Sequence, residues 1–131
     1  MKRQGYLAVI LDEFSRRLLL SFAKYNQRFA THMTVAYEPD EISWRNYLPL
    51  IESEITLRVI GLVEDGVGQT VLVDGFQSEK KVSHITISTK GKIPARYCED
   101  LAILMKDQAD NKINGTVLKG KLKFIPHRQH R

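Results

Sequence analysis

Two short segments of this 131-residue chain carry residue types on which chemistry can be built. Thr31-His32-Met33-Thr34-Val35-Ala36-Tyr37 and Ser83-His84-Ile85-Thr86-Ile87-Ser88 each set a histidine two residues before a threonine inside an alternating apolar stretch. In a strand, positions i and i+2 project from the same face. Each segment therefore presents an imidazole beside a hydroxyl, while Met33, Val35, Ile85 and Ile87 turn to the opposite, core-facing side. With 4 histidines in the chain, random order would yield about 0.2 His-x-Thr tripeptides, so two by accident has odds of roughly 2%. A lone one reads as a half-buried histidine next to a strand-favouring threonine. Two of them put four polar side chains on one face of otherwise apolar strands, a surface that wants a ligand or water.

The chemistry these four groups suit is proton transfer at phosphorus. Threonine is a poor transition-metal ligand and no Asp, Glu or Cys stands at a fitting spacing, so no metal is assigned. Serine-type nucleophilic catalysis needs one activated hydroxyl and an orienting acid, which leaves a duplicated motif unexplained. Two imidazoles that titrate near neutrality can divide the work: one takes a proton from the nucleophile and the other gives one to the leaving oxygen. Two hydroxyls can hold the non-bridging phosphoryl oxygens. Opposed placement suits an in-line displacement. His32, Thr34, His84 and Thr86 are the expected catalytic residues, with the order of base and acid left open.

The elements that must position them follow from pattern. Tyr6 to Leu11 reads as a buried strand. Asp12 is a plausible N-cap for a helix to about Tyr25, with Phe14, Leu18, Leu19 and Phe22 at helical spacing. His32 to Tyr37 is a strand that Pro39 ends. Residues 41–50 read as a loop with a short helix stopped by Pro49. Glu54 to Glu64 and Val67 to Phe76 form a hairpin around Asp65-Gly66. Val82 to Thr89 is a further strand. Pro94 opens a helix to about Gln108, whose face is Tyr97, Leu101, Leu104 and Met105. Gly115 to Ile125 is the last strand. Helices mixed with mostly antiparallel strands make an α+β fold.

Composition sets the frame. At 43% hydrophobic and 27% charged residues the chain matches a globular average, and disordered, collagen-like and fibrous classes are excluded. The length suits one domain over residues 1–131. Cys98 is the single cysteine, so no internal disulfide forms and a reducing compartment is expected. No apolar run reaches the roughly 20 residues of a membrane span, and the start lacks the apolar stretch and cleavage site of a signal peptide. A cytoplasmic monomer is the expectation. All 15 acidic residues precede position 115, whereas Lys119, Lys121, Lys123, Arg128 and Arg131 follow it. The last strand and the basic tail from about 126 therefore account for the whole net charge of +5, a distribution that favours polyanions or serves as a solvated tail.

The paired motifs His32-Met33-Thr34 and His84-Ile85-Thr86, the lead-in Gly5-Tyr6-Leu7-Ala8-Val9 with its helix, and the closing helix and strand together resemble the 2H phosphoesterase superfamily, from about residue 5 to 125. The resemblance implies a bilobed fold in which mostly antiparallel sheets line a central groove and two main helices pack outside. It also implies a metal-independent, cofactor-free reaction on nucleotides. The chain looks most like the compact cyclic-phosphodiesterase branch tied to RNA repair, acting on 2′,3′-cyclic phosphate ends of RNA or nucleotides. Related members degrade cyclic or 2′-5′-linked oligonucleotide messengers, in some cases as viral anti-defence enzymes. From another class, a non-catalytic RNA- or nucleotide-binding module would keep the same groove. The short interval between the motifs implies a trimmed lobe and a small or end-on substrate.

Other side chains are candidates for binding substrate. Tyr6 opens the first strand and can stack on a base. Tyr37 lies out of phase with the catalytic pair, and only a bulge or strand end would bring it in. Ser88 shares the phase of His84 and Thr86 and is expected in the same groove. Lys90 and Lys92 flank Gly91 just past the second motif, where a lysine can neutralise phosphate. Cys98 is assigned to packing, and His127 and His130 receive no role.

Overall fold

The apolar run behind Gly5 forms β1 (Gly5–Leu11) in a computed structural model that describes residues 2–127. Asp12 then caps α1 (Glu13–Leu20), its carboxylate accepting the Ser15 N–H at 2.7 Å. The helix stops at Leu20, short of Tyr25, because the backbone N–H groups of Lys24 and Tyr25 are drawn to the side chains of Gln69 and Ser88. Its buried side holds Ser15 and Leu19, and Phe14 is 76% exposed. The Ser15 hydroxyl accepts the Lys119 N–H, which turns that side of the helix to the sheet.

The remaining elements follow the sequence closely. They are β2 (Gln27–Arg28), β3 (His32–Tyr37), α2 (Glu41–Tyr47), β4 (Glu54–Glu64), β5 (Gly68–Asp74), β6 (His84–Thr89), α3 (Tyr97–Met105) and β7 (Val117–Pro126). Asp40 caps α2, which runs into a 3₁₀ turn holding Pro49. The β4–β5 turn is fixed by the Asp65 carboxylate, which accepts the N–H groups of Val67 and Gly68, each at 2.8 Å. A second 3₁₀ turn, Lys106–Gln108, carries α3 to its expected end. Leu104 is 78% exposed rather than on the packing face.

The fold is α+β, with one antiparallel seven-stranded sheet in the order β2-β6-β5-β4-β7-β1-β3. The 2H phosphoesterase resemblance implies the sheets of two lobes. One continuous sheet results because β7 pairs with β1 along one edge and with β4 along the other. The two ends of this sheet then meet. Residues 27–30 hydrogen-bond along β6, with the Phe29 and Ala30 N–H groups donating to Ile87 and Thr86. The same stretch of chain continues as β3 onto β1. Inside lies the main core, including Leu7, Val9, Met33, Val35, Leu57, Ile85, Ile87 and Leu122. A smaller cluster on the outward side joins Cys98, Leu101 and Ala102 of α3 to Val63 and Leu72. No helix among the described residues is long and apolar enough to cross a membrane.

Candidate active site

Alternation in β3 and β6 sends Met33, Val35, Ile85 and Ile87 into the core and turns His32, Thr34, His84 and Thr86 outward. Because β3 returns to lie against β6, the two motifs converge. All four side chains line one open cavity of about 500 Å³, together with Tyr6 and Tyr37. Its remaining wall includes Phe29, Thr31, Lys80, Ala95, Arg96 and Glu99.

A bulge follows each motif at the same offset. On β3, Leu7 opposes Ala36 and Ala8 opposes Thr34, so Val35 is the extra residue. On β6, Gln69 opposes Ser88 and Thr70 opposes Thr86, so Ile87 is the extra one. An inserted residue reverses the phase of everything beyond it. Tyr37 is thereby swung onto the face of His32 and is 60% exposed at the cavity rim. Ser88 is carried the other way, which corrects its expected place in the groove. It is fully buried, donates to Gln69 Oε1 at 2.7 Å, and accepts the N–H groups of Lys24 and Tyr25. Lys90 and Lys92 are exposed and stand outside the cavity wall. The turn containing Gly91 at φ +62° is held by Asn26 Oδ1, which accepts the Gly91 N–H, and the cations in the cavity wall are Lys80 and Arg96 instead.

The imidazoles have distinct surroundings. His32 Nδ1 lies 2.8 Å from the Thr31 hydroxyl, and its ring is tilted against Tyr6 with centroids 5.6 Å apart. Burial lowers its pKa, and the nearby His84 lowers it further. His84 Nδ1 lies 3.1 Å from the Val82 carbonyl. A carbonyl only accepts, so Nδ1 carries a proton and Nε2 is the atom that titrates. Burial lowers the His84 pKa as well, but the Val82 carbonyl and Glu99 act in the opposite sense, and Lys80 lowers it.

The hydroxyls differ too. Thr86 donates to the Ala95 carbonyl at 3.2 Å. Among the described residues Thr34 Oγ1 has no hydrogen-bond partner, which leaves it ready for a ligand. Lys80 Nζ sits 3.1 Å from Glu99 Oε1, a half-exposed pair at the rim. Arg96, the residue before α3, is exposed beside it. These cavity cations carried no sequence signal, since both are loop charges outside any motif and only the return of residues 75–83 over β3 brings Lys80 in. Ser78 Oγ, for instance, donates to the Thr34 carbonyl.

His127, assigned no role from sequence, packs against Tyr37 with ring centroids 5.3 Å apart and places Nε2 3.1 Å from Glu38 Oε2. His130 and the rest of the basic tail beyond His127 lie outside the described residues. Cys98 is fully buried against Gly68 in the α3 cluster, and burial pushes its thiol pKa up. Among the described residues no three His, Cys, Asp or Glu side chains gather in a way that would hold a metal ion. Set against protein-family models and the curated proteins, the sequence finds no match.

Proposed function

We propose that this chain is a phosphodiesterase that opens the 2′,3′-cyclic phosphate of an RNA end or a nucleotide by two-histidine acid–base catalysis, without a metal ion. The observation that carries the reading is that both His-x-Thr motifs, 52 residues apart in sequence, line one open cavity. In the step proposed, a water oxygen bonds to phosphorus while His32 takes its proton. The bond from phosphorus to the 2′ or 3′ oxygen breaks, and that oxygen receives the proton of His84. The assignment of roles rests on the ring environments. Burial lowers both pKa values, but His32 has only depressing influences, whereas at His84 the Val82 carbonyl and Glu99 favour the protonated form against burial and Lys80.

Thr34 would donate to a phosphoryl oxygen, and Thr86 would do so by turning from the Ala95 carbonyl. Lys80 and Arg96 supply positive charge at the rim. Tyr6 and Tyr37, directly opposed on β1 and β3, offer apolar faces to a base or ribose.

The test is turnover of 2′,3′-cyclic mononucleotides, RNA with a cyclic-phosphate end and 2′-5′ oligoadenylate by the wild type and by His32→Ala and His84→Ala. Each substitution is expected to lower kcat/KM by about 10²–10⁴-fold while the thermal midpoint changes little. Wild-type activity in either variant would reject the mechanism.

A further inference from the structure

The outward face of the sheet holds a row of charge that the catalytic reading leaves unused. His32 on β3 stands opposite Ile10 on β1, Ile10 opposite Lys121 on β7, and Lys121 opposite Glu54 on β4. The neighbouring rung runs from Thr34 through Ala8 to Lys123. Directly opposed residues of antiparallel strands share a face. Lys121 and Lys123 therefore lie on the same surface as His32 and Thr34, two interstrand spacings or about 10 Å away. Lys119 extends the row opposite Thr56. The three lysines edge a second hollow of about 260 Å³ that also includes Ile10.

The two sides of the catalytic cavity are not equivalent. Beyond His84 and Thr86 the same outward face is covered, since Cys98, Leu101 and Ala102 of α3 pack on Leu72 and Val63. Beyond His32 the sheet is open. A polymer too long for the cavity is thus steered across β1 toward β7. The acids there compete weakly. Glu52 lies 3.8 Å from Lys123 Nζ in an exposed pair, Glu54 opposes Lys121, and Asp12 is engaged in capping α1. Exposed pairs of this kind are easily exchanged for another anion.

We infer that Lys119, Lys121 and Lys123 form a track for the backbone of a single-stranded RNA whose cyclic-phosphate end sits between the histidines. The substrate is then an oligonucleotide taken end-on, a conclusion that rests on the phosphodiesterase reading above. Salt dependence follows, because each phosphate neutralised on a single strand steepens the slope of log affinity against log salt by about 0.7.

The experiment compares the wild type with the triple variant Lys119→Gln/Lys121→Gln/Lys123→Gln and with Glu54→Gln. Fluorescence anisotropy of a labelled octanucleotide RNA ending in a 3′-phosphate measures binding without turnover, over a salt series. In parallel, kcat/KM is measured on the octanucleotide with a 2′,3′-cyclic end and on a 2′,3′-cyclic mononucleotide. The triple variant is expected to bind the octanucleotide about tenfold more weakly at low salt, with a slope shallower by about 1–2. Glu54→Gln is expected to bind more tightly than wild type. The ratio of kcat/KM for octanucleotide over mononucleotide is expected to fall about tenfold in the triple variant. Unchanged affinity and slope would overturn the track, as would an unaltered ratio in active protein. Loss of RNA affinity in the triple variant, with no wild-type turnover of either substrate, would support the track and overturn the enzymatic reading instead.

Discussion

His32 and His84 are chemically the same residue placed in two unlike settings. Burial takes both partly out of water and lowers both below the ordinary histidine value of 6.5, and the neighbouring His84 lowers His32 further. In the proposed mechanism, a base that must be neutral and an acid that must be protonated give a bell-shaped kcat/KM, whose limbs report the free enzyme. With both pKa values depressed, the maximum is expected on the acid side of pH 6.5, with activity declining through neutrality. A pH profile of kcat/KM checks this, and an optimum above pH 7.5 or so would show that other groups carry the protons. The pairing of these residues was legible from the His-x-Thr repeats, because alternation alone fixes which neighbours share a face. The fates of Tyr37 and Ser88 were not legible. Each depends on one extra residue, Val35 or Ile87, and an inserted residue that is itself apolar and buried looks no different from regular strand.

At the scale of elements, β7 splices the two halves of the chain. Its register against β1 brings Gly120 beside Leu11, where an added Cβ would fall inside the Ile10 carbonyl oxygen. That oxygen belongs to the β1 backbone, which cannot give way as a flexible side chain would. Gly120→Ala is therefore expected to destabilise the protein by about 1–3 kcal/mol, read from urea midpoints at constant m-value. Stability equal to wild type would mean that β1 and β7 can slide apart at no cost. The strands were nearly all evident from alternation, and so was the Asp12 cap, whereas the Asp40 cap of α2 emerged only in the structure. The length of α1 was not, since its periodicity persists past Leu20 while Gln69 and Ser88, distant in sequence, take the next backbone donors. Phe14 and Leu104 were placed on packing faces by spacing, yet α1 turns Ser15 and Leu19 inward and α3 turns Cys98, Leu101 and Ala102, which leaves both exposed.

For the molecule as a whole, the same histidines couple folding to acid. In the unfolded chain each titrates near 6.5, whereas the folded protein holds both neutral to lower pH. Just below that value the unfolded state binds more protons, so stability rises with pH there and falls as the solution is acidified. Urea midpoints are expected to drop between pH 7 and pH 5, and the drop is expected to shrink in the double variant His32→Gln/His84→Gln. An identical drop in the double variant would assign the acid sensitivity to other groups. Sequence by itself determined the α+β class, the order of the strands along the chain, the two motifs and the side of each strand on which they lie, because these follow from local periodicity and from the rigid alternation of the extended backbone. Tertiary structure alone decided that the sheet is continuous, that its ends meet so that residues 52 positions apart line one cavity, that Lys80, Arg96 and Glu99 complete its wall, and that the lysines of β7 share its surface. Those outcomes are set by strand register and sheet closure, which arise from contacts between segments far apart in the chain and leave no periodic trace within any one of them.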